Sequence, residues 1–268
     1  MKQFHRKIGK CRNWRIFADI HTILFSIFKS RPTLRELIPA DHIDFHSHVL
    51  PGIDDGAKTA EHTLALVESL REMGCSQLIA TPHIMHSVWD NSPANILEKR
   101  DETRALLKQA GIDIKIEAAA EYLMDSFFVQ RLKSEKLLCV HDNFVLVEMS
   151  YINPPIQLYD ILFEMQLEGY IPILAHPERY AFYHNKAKEY QKLKDAGCRF
   201  QLNLLSCIGY YGKDVANAAE RLLETGLVDF AGSDVHHSRH VEAFSKKLVV
   251  KSHKALSKAL ENNQQFRF

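Results

Sequence analysis

The chain has 268 residues, 46% of them hydrophobic and 25% charged, an ordinary globular composition that suits one large α/β domain better than two small ones. Its 34 Lys and Arg against 33 Asp and Glu leave a formal net charge of +1, which excludes an overall field able to gather nucleic acid. Five cysteines (Cys11, Cys75, Cys139, Cys198 and Cys207) are odd in number and form no CxxC pair, so they read as reduced core fillers in a cytoplasmic protein.

Residues 1–40 read as a basic N-terminal extension, helical or disordered, ahead of a single domain over 41–268. Lys2, Arg6, Lys7, Lys10, Arg12 and Arg15 precede the first acid, Asp19, and the apolar run "TILFSIF" follows. That run is too short to span a bilayer, and "KSRP" after it is no signal-peptidase site. A disordered leader is the simpler reading; the other is a basic amphipathic helix in weak contact with an anionic membrane surface.

From Ile43 onward, short apolar runs alternate with longer helical patterns. The expected strands are 43–48, 77–83, 112–122, 144–151, 170–177, 199–206 and 228–236, rich in Ile, Leu, Val and Phe as strands covered on both faces are. The expected helices are Thr59–Met73, Pro93–Ala110 with Ser92 as N-cap, Pro155–Glu168, Asn185–Ala196, Lys213–Thr225 and Val241–Glu261. Gly74, Gly111, Gly169, Gly197 and Gly226 stand between a helix and the next strand, where glycine commonly ends a helix. Seven βα units imply a parallel sheet, best fitted by a closed or nearly closed barrel.

The polar residues collect at the ends of those strands. His46 and His48 end the first, His83 the second, Glu121 the third, His176 the fifth, and Asp234 with His236 the seventh. In a parallel βα barrel these ends open onto one face. A lone histidine after a strand is more often a hydrogen-bonded rim residue than a ligand, but His46-x-His48 points two rings to one side. Imidazole and carboxylate without thiolate suit Zn, Mn or Fe at a catalytic site. Seven ligands are too many for one tetrahedral ion, so two or three metals are implied, with Glu121 as the bridge. Asp55, in the loop after the first strand, is near enough to be a further ligand. Asp44 is expected to point away from His46 and support it. His5, His21, His42, His62, His86, His141, His184, His237, His240 and His253 lack this placement and are expected to be mostly solvated. Arg179 and Arg239 each lie three residues past a strand-end histidine, positions suited to a phosphoryl group.

"DFHSHVLPGIDDGAKT", "ATPH", "AAAEY", "AHPERY" and "GSDVHH" occur in this order and resemble the PHP (polymerase and histidinol phosphatase) superfamily. More narrowly, they resemble its metal-dependent protein-tyrosine phosphatases of bacterial capsule and exopolysaccharide operons. The resemblance covers about Ile43 to Phe244. It implies a distorted seven-stranded (β/α)7 barrel holding two to three divalent ions, Mn2+ foremost and Fe or Zn as alternatives. Matched motif by motif, the ligands it implies are His46, His48, Asp55, His83, Glu121, His176, Asp234 and His236. Arg179 and Arg239 match the arginines that hold phosphate and, with Asp55, are the residues expected to serve catalysis. Two departures stand out: Ile84 replaces a second histidine frequent in relatives, and the His236–Arg239 spacing is shorter than in some members. A metal-activated water would attack phosphorus without a phosphoenzyme, since no cysteine stands in a C-x5-R loop. The implied substrate is phosphotyrosine on a membrane-anchored bacterial tyrosine kinase that controls polysaccharide export. The rival readings are a phosphatase of small phosphomonoesters, an amidohydrolase-like enzyme (which lacks here the expected strand-end lysine) and a non-catalytic kinase-binding regulator.

Overall fold

A computed structural model describes residues 31–268, whose folded body runs from Pro32 to Phe268; the basic leader ahead of it lies outside the described residues. A short helix, α1 (Leu34–Leu37), opens the body, so the boundary expected at residues 40 and 41 falls inside it. Leu34 is fully buried, and the amides of Leu34 and Arg35 donate to the carbonyls of Lys246 and Phe244 at 3.0 and 2.8 Å. Leu34, Leu37 and Ile38 have the i, i+3, i+4 spacing of one helix face, and that face needs a core to cover it.

Nine strands are formed among the described residues: β1 (His42–Ser47), β2 (Cys75–Ala80), β3 (His83–Ile84), β4 (Lys115–Ala118), β5 (Glu121–Leu123), β6 (Phe144–Glu148), β7 (Ile171–Ala175), β8 (Arg199–Asn203) and β9 (Phe230–Gly232). All their ladders are parallel. They make a three-stranded sheet, β1-β2-β4, and a six-stranded sheet, β3-β5-β6-β7-β8-β9. The strands expected over 77–83 and 112–122 are therefore each broken in two. Pro82, between β2 and β3, has no amide hydrogen with which to continue a ladder. The chains stay side by side through the break, because Ala119 N–H donates to the Ala80 carbonyl and Glu121 N–H to that of Pro82. At the other side, Asp234 N–H donates to the His46 carbonyl at 2.7 Å and His48 N–H to that of Val235 at 2.9 Å, tying the chain after β9 to β1.

Helices α2 (Ala60–Glu72), α3 (Pro93–Ala110), α4 (Ser126–Ser134), α5 (Leu158–Leu167), α6 (Ala187–Asp195), α7 (Lys213–Glu224), α8 (Ser238–Ala243) and α9 (His253–Asn262) fill the connections. Ser92 caps α3 in a reciprocal box with Asn95, as the sequence implies, and the five glycines expected to end helices all have positive φ. Helix α4 is not among the expected helices, although Asp125 caps it by accepting from the amides of Phe127 and Phe128. The single closing helix expected over Val241–Glu261 is two, α8 and α9. The chain between them leaves helical geometry because its amides are used elsewhere: Leu248 donates to Pro32 and Val249 to Cys207.

Two apolar clusters flank the strands. The larger lies largely between strands and helices; the smaller gathers Ile43, Phe45, Ile79, Leu146, Ile173 and Phe230 from five strands, with Phe266 packed against Phe45 at 4.5 Å. Replacing Leu34 with Ala is expected to lower the unfolding free energy by about 2–5 kcal/mol, the cost of an unfilled core site. Urea denaturation measures it, and a change below about 1 kcal/mol would mean that α1 does not anchor the body.

Candidate metal centre

Because the strands are parallel, their carboxyl ends meet on one side, and there the structure brings together every ligand that the sequence suggests. His46 belongs to β1 and His48 follows it; His83 opens β3, Glu121 opens β5, His176 follows β7, and Asp234 and His236 follow β9. A register shift between Asp44 and Ser47, which pair with Leu78 and Ala80, gives β1 one more residue than β2 over this stretch. Such a bulge breaks simple alternation. Phe45 joins the smaller apolar cluster, and the next residue, His46, reaches the carboxylates of Glu121 and Asp234 at 3.2 and 3.3 Å. The same bulge explains Asp44. A strict period of two would set it beside His46, yet its carboxylate accepts from the amide and hydroxyl of Ser233, next to Asp234.

Glu121 is the hub. Its Oε2 lies 3.2 Å from His46 Nε2, 3.4 Å from His48 Nε2 and 3.2 Å from His83 Nδ1, and its Oε1 lies 3.1 Å from His176 Nε2. Asp55, half exposed at the rim, stands 3.5 Å from His83 and 3.4 Å from His236. Three sets of donor atoms are close enough to hold an ion: His46, His48, Glu121 and Asp234; His48, Asp55, His83 and His236; and His83, Glu121 and Glu148.

The hydrogen bonds behind these rings decide what the rings offer. His46 Nδ1 faces the Gln201 side-chain oxygen at 2.9 Å, and that amide is oriented by its own donation to the Leu202 carbonyl. His48 Nδ1 meets Asp54 Oδ2 at 2.8 Å, and the other oxygen of Asp54 accepts from the Gly56 amide. Both Nδ1 atoms thus donate outward, which leaves the Nε2 lone pairs of the neutral rings facing inward, 3.4 Å apart. Two lone pairs at that separation call for a cation between or beside them. His83 Nδ1 and Glu148 Oε1 tell the same story: they lie 3.0 Å apart, and both atoms are buried without a well-formed hydrogen bond. Orphaned buried donors, carboxylates and no thiolate fit divalent cations. Without a metal, protons take that part. Burial opposes charge on His83, but Glu121 and Glu148 outweigh it and raise its pKa to about 9. Burial likewise pushes Glu121 and Asp234 upward, yet the surrounding histidines hold both well below the usual carboxylate range.

The backbone is bent to achieve this. His176 and Asp234 adopt left-handed φ of 38° and 51°, a costly conformation for side chains other than glycine and one typical of functional sites. Glycine is required at two points by close approach. A Cβ on Gly56 would lie 2.0 Å from the His48 carbonyl oxygen, and one on Gly232 would lie 2.8 Å from His46 Cβ.

Arg179 and Arg239, each three residues past a strand-end histidine, have opposite fates. After His176, the tight turn Pro177–Arg179 brings Arg179 back over the site, where its guanidinium donates to Asp234 Oδ2 at 3.0 Å. After His236, α8 carries Arg239 outward; it is exposed and does not line the cavity, so the structure does not bring it to the site. His42 and His240, expected in solvent, are buried, and burial lowers the pKa of each to about 4. Glu148, Asp54 and Gln201 are the site residues that the sequence reading passes over. Glu148 carries the very signal used for the others, a polar residue closing the apolar run "FVLVE". Gln201 carries no such signal, since its partner is set by closure of the fold; Asp54 ends no apolar run and meets His48 from the loop six residues on. Gln201→Leu is expected to weaken divalent-metal binding by roughly 10- to 100-fold, the usual effect of losing the partner that orients a ligating histidine. Metal titration of the folded variant decides it, and parent-like affinity would show that Gln201 does not set the ring.

Residues 42–261 match the family described as capsular polysaccharide synthesis, CpsB/CapC. The chain is 30% identical over 196 residues to the tyrosine-protein phosphatase YwqE of Bacillus subtilis, covering 73% of this chain and 77% of that one. It is 29% identical over 203 residues to the tyrosine-protein phosphatase CpsB of Streptococcus pneumoniae, covering 73% and 83%. A crystal structure from work on YwqE and CpsB, described as metal-dependent tyrosine phosphatases, superposes with a TM-score of 0.71 at 27% identity, over 82% of this chain and 94% of that one. The chain belongs to the CpsB/CapC family of capsular polysaccharide synthesis.

Proposed function

We propose that the protein is a metal-dependent protein-tyrosine phosphatase. Its substrate is phosphotyrosine on a membrane-anchored bacterial tyrosine kinase that governs capsular or exopolysaccharide synthesis and export, and it works in the cytoplasm. The observation that carries this reading is the meeting of Arg179 with His83, Glu148, His176, Asp234 and His236 in one cavity of about 350 Å³. The names of the relatives supply the substrate class. The ligands we assign are His46, His48, Asp55, His83, Glu121, His176, Asp234 and His236, joined by Glu148, for two to three divalent ions, Mn2+ foremost with Fe or Zn as alternatives. The barrel is read as seven-stranded, counting each broken strand once, in keeping with the bonds that run through the breaks and from beyond β9 to β1.

Divalent ions in this set would supply Lewis acidity and a water acidified toward neutrality. The remaining work falls to the chain itself. Gln201 and Asp54 keep the imidazoles of His46 and His48 in place. Arg179, charged and anchored on Asp234, offers its remaining N–H groups to phosphoryl oxygens in the cavity. Among the described residues no cysteine lines the cavity, and burial pushes Cys139 and Cys198 up to about 11 and 12. Arg239 remains a phosphate contact only if α8 turns it inward on substrate binding.

Two outcomes are expected. Chelation should abolish turnover of a phosphotyrosine peptide, and thiol alkylation should leave it intact; loss on alkylation alone would overturn the metal route. Arg179→Ala should keep its metal and lose about 10²-fold or more in kcat/KM, with Arg179→Lys recovering part, because an ammonium lacks the planar fork. Steady-state kinetics with metal content on the same preparations measure this, and a parent-like rate for Arg179→Ala would make it a structural ion-pair residue.

A further inference from the structure

Arg179 is held by more than Asp234. Its guanidinium carbon sits over the ring of Tyr211 at 4.2 Å and over that of Tyr151 at 4.8 Å. The two tyrosines come from distant segments, the loop after β6 and the turn before α7. Each is itself anchored. The Tyr211 hydroxyl accepts from Asn203 Nδ2 at 3.3 Å, and the same Asn203 group donates to Asp234 at 2.7 Å. The Tyr151 ring stacks on that of His176, 5.8 Å away and 23° from parallel. Both tyrosines line the same cavity as Arg179.

A guanidinium covered by aromatic rings keeps its N–H groups for ligands at its edge. One edge is committed to Asp234, and the other N–H groups remain for the cavity. We propose that Tyr151 and Tyr211 are positioning residues that clamp Arg179 between their rings and preset it for a tetrahedral oxyanion beside the His/carboxylate cluster. The proposal rests on the phosphatase reading only in taking phosphate as that anion. Neither tyrosine is a metal ligand in this account. Ring contact rather than the hydroxyl does the positioning, so phenylalanine should substitute where leucine cannot.

The test is binding of inorganic phosphate to the metal-loaded full chain, by calorimetry, with turnover of a phosphotyrosine peptide as a second readout. Tyr151→Leu and Tyr211→Leu should each weaken phosphate binding by about tenfold at unchanged metal content, with the Phe variants recovering most of the loss. Tyr151 is 46% exposed, so its Leu variant should fold even if that of Tyr211 does not. In an Arg179→Ala background the Leu substitutions should add no further loss, because the tyrosines act through the arginine. Parent-like phosphate binding in the Leu variants, or an equal loss with and without Arg179, would overturn the clamp. A parent that binds phosphate with this tyrosine dependence but turns over no phosphopeptide would count against the phosphatase reading and leave the clamp standing.

Discussion

The structure depends on a concentration of buried negative charge that the protein cannot neutralise by hydrogen bonds alone. Glu121 and Asp234 place carboxylate oxygens within 4.8 Å of each other, both shut away from water. At an effective dielectric constant of about 20, that separation costs at least roughly 3 kcal/mol of repulsion, a large share of a typical folding free energy. Neutral histidines with inward lone pairs add to the demand for positive charge. Protons can meet it in part, which is why the cluster raises His83; divalent cations at the centre would meet it more fully.

The rest of the fold is arranged to hold that unfavourable centre in place. The bulge in β1 lets Asp44 reach Ser233 while His46 reaches the carboxylates. Left-handed backbone at His176 and Asp234 redirects the chain at two strand ends. The missing side chains of Gly56 and Gly232 let the strands close tightly enough around His48 and His46. Behind each ring stands a fixed acceptor, Gln201 or Asp54, so ligand direction is set by elements packed into the core. Arg179 joins the same network through Asp234, which couples the anion-facing group to the cation-facing one.

Much of this was legible in the chain because the signal is local. A polar residue capping a short apolar run has little structural purpose, and every ligand candidate found at a strand end obeys that pattern. What escaped had either an overlooked local signal or none. Glu148, closing "FVLVE", obeys the same pattern. Gln201, Tyr151 and Tyr211 matter through partners far away in sequence, so only the closed fold shows them. Arg239 shows how much the element that follows decides. Three residues past a histidine means over the site when a tight turn follows, and out into solvent when an α-helix follows. The broken strands and the split last helix share one cause, backbone amides committed to partners that periodicity does not see.

The most direct measurement is the metal content of protein purified without chelators, taken on a folded preparation that hydrolyses phosphotyrosine. Two to three divalent ions per chain are expected, with unfolding shifted to lower temperature when they are removed. Folded, active protein carrying no more than trace metal would contradict it, because the inward-facing histidines and carboxylates would then be balanced by protons alone.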